Sequence, residues 1–68
     1  MQRIDGALIE SEVRYGYNRR FYTVTLVEGE WPSDDALLRA FGADEYCGWG
    51  NVSTTTDSTK ILDIWGCD

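Results

Sequence analysis

The chain of 68 residues has no histidine, a single proline and only two cysteines, Cys47 and Cys67. Without imidazole it lacks the usual general base for a Ser or Cys nucleophile and the commonest metal ligand. Two lone thiols far apart in sequence fall short of the ligand set a structural zinc site needs, so no metal and no cofactor is expected. Long apolar runs are missing too. The longest are short blocks such as Ala7-Leu8-Ile9 and Ala36-Leu37-Leu38, against roughly 20 residues needed to cross a bilayer. Met1-Gln2-Arg3-Ile4-Asp5-Gly6 leads into no apolar segment of the kind a secretory signal carries, so a cytoplasmic address away from membranes is expected. Positive charge is scarce: six Lys and Arg stand against twelve Asp and Glu, for a net charge of −6. That balance argues against direct contact with nucleic acid. No catalytic motif is present, and the expectation is a protein that is not an enzyme.

Aromatic residues, by contrast, are plentiful. Three Trp, four Tyr and two Phe offer roughly 150–250 Å² of buriable surface each, enough to expect one folded domain over residues 1–68 rather than a disordered acidic tail. Alternation from Ala7 to Tyr15 places Ala7, Ile9, Ser11, Val13 and Tyr15 on one face, as in a half-buried strand. After a turn at Gly16-Tyr17-Asn18-Arg19, the β-branched and aromatic run from Arg20 to Val27 reads as its hairpin partner, with Tyr22, Val24 and Leu26 inward.

Trp31-Pro32-Ser33-Asp34-Asp35-Ala36-Leu37-Leu38-Arg39-Ala40-Phe41-Gly42 then spells a short capped helix. Ser33 suits the N-cap, Asp34 and Asp35 sit at the positive end of the helix dipole, and Gly42 suits the left-handed residue past the end. Pro32 and Leu37 occupy the staple positions, Leu37, Leu38 and Phe41 form the apolar stripe, and Asp35 and Arg39 are spaced for an i,i+4 pair. After the glycine-rich, aromatic stretch Tyr46-Cys47-Gly48-Trp49-Gly50, a second hairpin follows, from Asn51 to Thr56 and from Lys60 to Trp65 around a break at Asp57-Ser58-Thr59, with Leu62 and Ile64 inward. The expected fold is therefore α+β, a two-layer ββαββ domain in which an antiparallel sheet of about four strands packs on one short helix. A two-residue turn would set Cys47 across from Asp68, whereas one bulge would bring Cys47 opposite Cys67; a disulfide and two reduced thiols both remain open.

Charge is unevenly placed. Residues 1–27 carry Arg3, Arg14, Arg19 and Arg20 against Asp5, Glu10 and Glu12, a net of +1. Residues 28–45 carry Glu28, Glu30, Asp34, Asp35, Asp44 and Glu45 against Arg39 alone, a net of −5, and residues 46–68 hold a net of −2. Crowded carboxylates of this kind favour a basic partner. Glu28 and Glu30, read as i and i+2 on one strand, would project to the same side roughly 6.8 Å apart. Neighbouring pairs such as Glu10 and Glu12 supply no cleft of the sort glycoside chemistry needs. The first hairpin tip gathers Arg14, Tyr15, Tyr17, Arg19, Arg20 and Tyr22, a mix found in protein interfaces and in modest nucleic-acid sites.

In size, acidity, absence of histidine and α+β pattern the whole chain resembles the small phage-encoded anti-CRISPR proteins, in particular those acting on type I surveillance complexes. The resemblance rests on no sequence motif. It implies an inhibitor, expected to be a monomer, that occupies the basic groove of a nucleic-acid-binding subunit as a DNA mimic. The partner-binding residues expected are Glu28, Glu30, Asp34, Asp35, Asp44 and Glu45, with Trp31 and Tyr46 as aromatic anchors. A small nucleic-acid module using the Arg/Tyr tip and a self-associating assembly protein are the alternatives from other classes.

Overall fold

The computed structural model describes residues 1–42 and 48–66. The elements run β1 (Gln2–Ile4), β2 (Ala7–Gly16), β3 (Arg19–Glu28), α1 (Asp34–Ala40), β4 (Trp49–Thr56) and β5 (Thr59–Trp65). All strand pairs are antiparallel, in a five-stranded sheet of order β1-β2-β3-β5-β4. The α+β class stands, with five strands in place of about four and the order βββαββ in place of ββαββ. The extra strand is β1. Asp5 and Gly6, at φ 48° and 85°, form a two-residue turn that folds Gln2–Ile4 back onto Ala7–Ile9. Asp-Gly suits such a turn because both residues accept the left-handed backbone that matches strand twist.

Strand register assigns the two faces of the sheet. Tyr22 pairs with Leu62, and Leu62 with Val52, so these three share the face beneath the helix. Ile4, Ala7, Ile9, Val24, Leu37, Phe41, Leu62 and Ile64 form the buried core, and Tyr22, Leu26, Trp31, Ala36, Leu38 and Val52 pack around it. The inward assignments on β3 and β5 hold. On β2 the expectation holds only for Ala7 and Ile9; Ser11, Val13 and Tyr15 are exposed. A seven-residue helix is about 10 Å long, whereas a ten-residue strand spans roughly 33 Å, so α1 cannot roof the far half of β2.

The helix forms as its caps dictate. Ser33 Oγ accepts from the Ala36 amide at 3.1 Å, Arg39 and Asp35 pair at 3.2 Å, and Gly42 takes φ 107°. Pro32 and Leu37 are both buried. Leu37 and Phe41 drive the docking, Phe41 lying 4.7 Å from the Tyr22 ring; full burial of a side chain of this size contributes roughly 1.5–3 kcal/mol. At the turn between β4 and β5, a bulge between Thr54 and Thr56 shifts the register, which then runs regularly to Trp49 opposite Trp65. Cys47 and Cys67 lie outside the described residues.

Candidate functional site

The loop from β3 into α1 defines one end of the molecule. Glu28 is the last residue of β3, and Gly29, at φ 91°, turns the chain so that Glu30 stands beyond the strand. The expected i,i+2 row on one strand is therefore not formed. A Cβ on Gly29 would stand 2.8 Å from the Gly6 carbonyl oxygen, so only glycine lets this segment pass against the Asp5-Gly6 turn. That close passage sets the Asp5-Gly6 turn beside the segment that carries Glu28 and Glu30.

Two hydrogen bonds bring the tip of the β4–β5 hairpin to the same end. The Leu26 amide donates to the Ser58 carbonyl at 2.8 Å, and Trp31 Nε1 donates to the Asp57 carbonyl at 2.8 Å. The acidic end thus holds Asp5, Glu28, Glu30, Asp34, Asp35 and Asp57, with Arg3, Arg39 and Lys60 nearby. Sequence spacing does not point to Asp5 or Asp57, because each arrives through tertiary contact.

These carboxylates differ in how far they are engaged. Asp34 Oδ1 lies 3.5 Å from Lys60 Nζ, and Asp35 Oδ2 lies 3.2 Å from Arg39. Both carboxylates are largely exposed, where such pairs contribute little to stability, yet each already has a cation alongside. Glu28 and Glu30 are exposed and have no ion pair among the described residues. Trp31 is half-buried against the core, holds Asp57 through its indole N–H and lies under Lys60, whose Nζ is 4.9 Å from the ring centroid. Its indole joins the helix start to the β4–β5 turn, leaving little of it for a partner. Asp44, Glu45 and Tyr46 lie outside the described residues.

The opposite end carries Arg14, Arg19 and Arg20. Arg19 Nη1 donates to Asp63 Oδ2 at 2.8 Å, and its guanidinium lies 5.1 Å from the Trp65 ring. Arg20 donates to the Tyr22 hydroxyl at 3.2 Å. Of the tip residues, Tyr15 and Tyr17 remain 77% and 92% exposed, and Arg14 is exposed as well. The sheet face away from the helix has no cover among the described residues. Phe21, Ile61 and Trp65 are half-buried on that face, while Glu10, Glu12, Arg14 and Trp49 stand out. Two open hollows flank this sheet. One lies beside β2 and includes Glu10, Ser11 and Glu12; the other, of about 220 Å³, lies among Tyr15, Arg19, Arg20 and Trp65.

Among the described residues no three acidic, Cys or His side chains gather as a metal site, and no helix is long and apolar enough to cross a membrane. Comparison with protein-family models, curated proteins and solved structures finds no match to the chain.

Proposed function

We propose that this protein is a non-enzymatic inhibitor of the anti-CRISPR type, which sets its acidic end on a basic DNA-binding surface of a type I CRISPR complex. Its carboxylates take the places that phosphates of the nucleic acid would fill. The observation that carries the reading is the gathering of Glu28, Glu30, Asp34 and Asp35 with Asp5 and Asp57 at one end of the fold. Carboxylates on a small rigid frame steer association with a basic groove and fix its register. The carboxylates of Asp34 and Asp35 stay largely exposed although Lys60 and Arg39 lie alongside, which leaves them open to the cations of a partner.

The test uses Glu28→Lys combined with Glu30→Lys. These two side chains have no ion pair among the described residues, so their reversal leaves the fold in place. Reversal of Asp34 and Asp35 would also disturb the helix start. With a purified type I complex on a biosensor, the wild-type protein binds with an affinity that falls as salt rises, and the double variant binds at least about tenfold more weakly. Equal affinity of the two proteins, or no binding by the wild type, overturns the reading.

A further inference from the structure

The sheet has two borders with open backbone groups, and they are built differently. At one, β4 pairs only with β5, and Trp49–Thr56 holds neither a charged residue nor a proline. At the other, β1 pairs only with residues 7–9, which leaves residues 10–16 of β2 without a neighbouring strand. Open strand edges are templates for another strand, and proteins ordinarily blunt them with shortness, proline, bulges or charge. The open stretch of β2 has no proline, and its register against β3 is regular over residues 9–16. Charge is the device it carries, and that charge is confined to one face.

Pairing with β3 fixes the faces. Glu10, Glu12 and Arg14 stand opposite Thr25, Thr23 and Phe21, on the side away from the helix. Ser11, Val13 and Tyr15 stand opposite Val24, Tyr22 and Arg20, on the helix side. Because α1 does not reach that far, Val13 is 40% exposed and Tyr15 77%. A border closed to every strand would set charge on both faces. This one sets two carboxylates, without ion pairs among the described residues, on one face and two large uncovered side chains on the other. Met1, Gln2, Glu10, Ser11 and Glu12 line an open hollow of about 560 Å³ beside β2, so the approach to the edge has room for a backbone.

We propose that residues 10–16 are the docking edge for an extended segment of a partner protein in which lysine or arginine alternates with apolar residues. The segment lies antiparallel to β2, in the lane that β1 occupies beside residues 7–9. Its backbone pairs with the amides and carbonyls that every second residue of β2 turns outward. Its basic side chains face Glu10 and Glu12, and its apolar ones cover Val13 and Tyr15. Charge selects this occupant. A second copy of the chain brings a net charge of −6 and, edge to edge, would crowd Glu10 and Glu12 against their equivalents. A strand of alternating basic and apolar residues meets opposite charge on one face and exposed carbon on the other. The same carboxylates thus turn away an acidic strand and admit a basic one. None of the residues of the acidic end belongs to this edge, so the inference does not depend on the function proposed for that end.

The probe is the end-capped peptide Thr-Val-Glu-Val-Lys-Val-Lys, whose lysines fall opposite Glu12 and Glu10 and whose glutamate falls opposite Arg14. A second peptide of the same composition has its two lysines adjacent, which puts them on opposite faces. Each is titrated into the isotope-labelled full chain and followed by its amide resonances. The alternating peptide is expected to bind saturably, with the largest shifts at residues 10–16 and slowed amide exchange at every second one of them. The adjacent-lysine peptide binds at least about tenfold more weakly, and Glu10→Lys with Glu12→Lys weakens the alternating peptide by about as much while the far-ultraviolet circular dichroism stays unchanged. Glu10→Gln with Glu12→Gln repeats the test should the lysine variant fail to fold. Absence of saturable binding overturns the proposal, as does equal binding of the two peptides, or shifts centred on β4 or on the acidic end. A folded variant that binds as tightly as wild type overturns it too. So does a dimer of the free chain, read by sedimentation equilibrium, that protects these same amides, since the occupant would then be a second copy.

Discussion

The two open borders of this sheet show how an acidic chain distributes its charge. β2 beyond Ile9 lies farthest from the helix, buries nothing from Glu10 to Gly16, and alternates carboxylates and an arginine with smaller or aromatic residues. β4 buries little more, but Leu38 reaches it: a Cβ on Gly50 would stand 2.5 Å from Leu38 Cδ2. One border is thus uncovered and guarded by charge, whereas the other is backed by the helix and unguarded. Net charge keeps copies of a protein apart only where it is placed, and here it is placed on one edge and withheld from the other.

Three variants break or sharpen that contrast. Leu62, fully buried on β5 between β3 and β4, supports both halves of the sheet. Leu62→Ala costs about 2–5 kcal/mol, and in a domain of this size both borders should open together, read as simultaneous loss of amide-exchange protection across β2 and β4. Loss on β4 and β5 alone would show the two halves to be separate cooperative units. Gly29→Ala comes next. It combines a left-handed backbone with a contact of 2.8 Å to the Gly6 carbonyl, and roughly 1–3 kcal/mol of destabilisation is expected. Protection should fall first at the Asp5-Gly6 turn and β1, which lengthens the charged border and leaves β4 as it was; a denaturant melt with residue-resolved exchange tests this. The smallest effect on stability belongs to Glu10→Thr with Glu12→Thr, both exposed and within about 0.5 kcal/mol of wild type. Light scattering on warming should nonetheless rise above that of wild type, because the β2 edge loses its guard. Unchanged scattering would show that these carboxylates do not guard it.

Much of the framework was legible in the chain because its signals are local. The Ser33 cap, the Asp35–Arg39 pair and the Gly42 terminus each depend on residues a turn or less apart, and all three form. Period-two alternation likewise placed Val24, Leu62 and Ile64 in the core. Strand β1 also had a local signal, Asp5-Gly6 between Ile4 and Ala7, which outweighs the brevity of the three-residue strand it starts. Burial along β2 was not legible, since alternation states which residues share a face and not how far the helix reaches over it. Nor was the acidic end. Asp57 joins Asp34 only because Trp31 and Leu26 bind the β4–β5 turn across more than twenty residues of sequence, and Lys60 enters among the carboxylates by the same docking.

By itself, then, the sequence determined the helix with its caps, the hairpin strands with their inward faces, and an overall negative charge, because propensity, capping and side-chain alternation act over a few residues. The tertiary structure decided which carboxylates share an end, that Trp31 is a structural tie, and which strands are left at the borders. Those outcomes depend on how strands distant in sequence pair and on where one short helix lies across them, and both are settled only when the whole sheet is assembled.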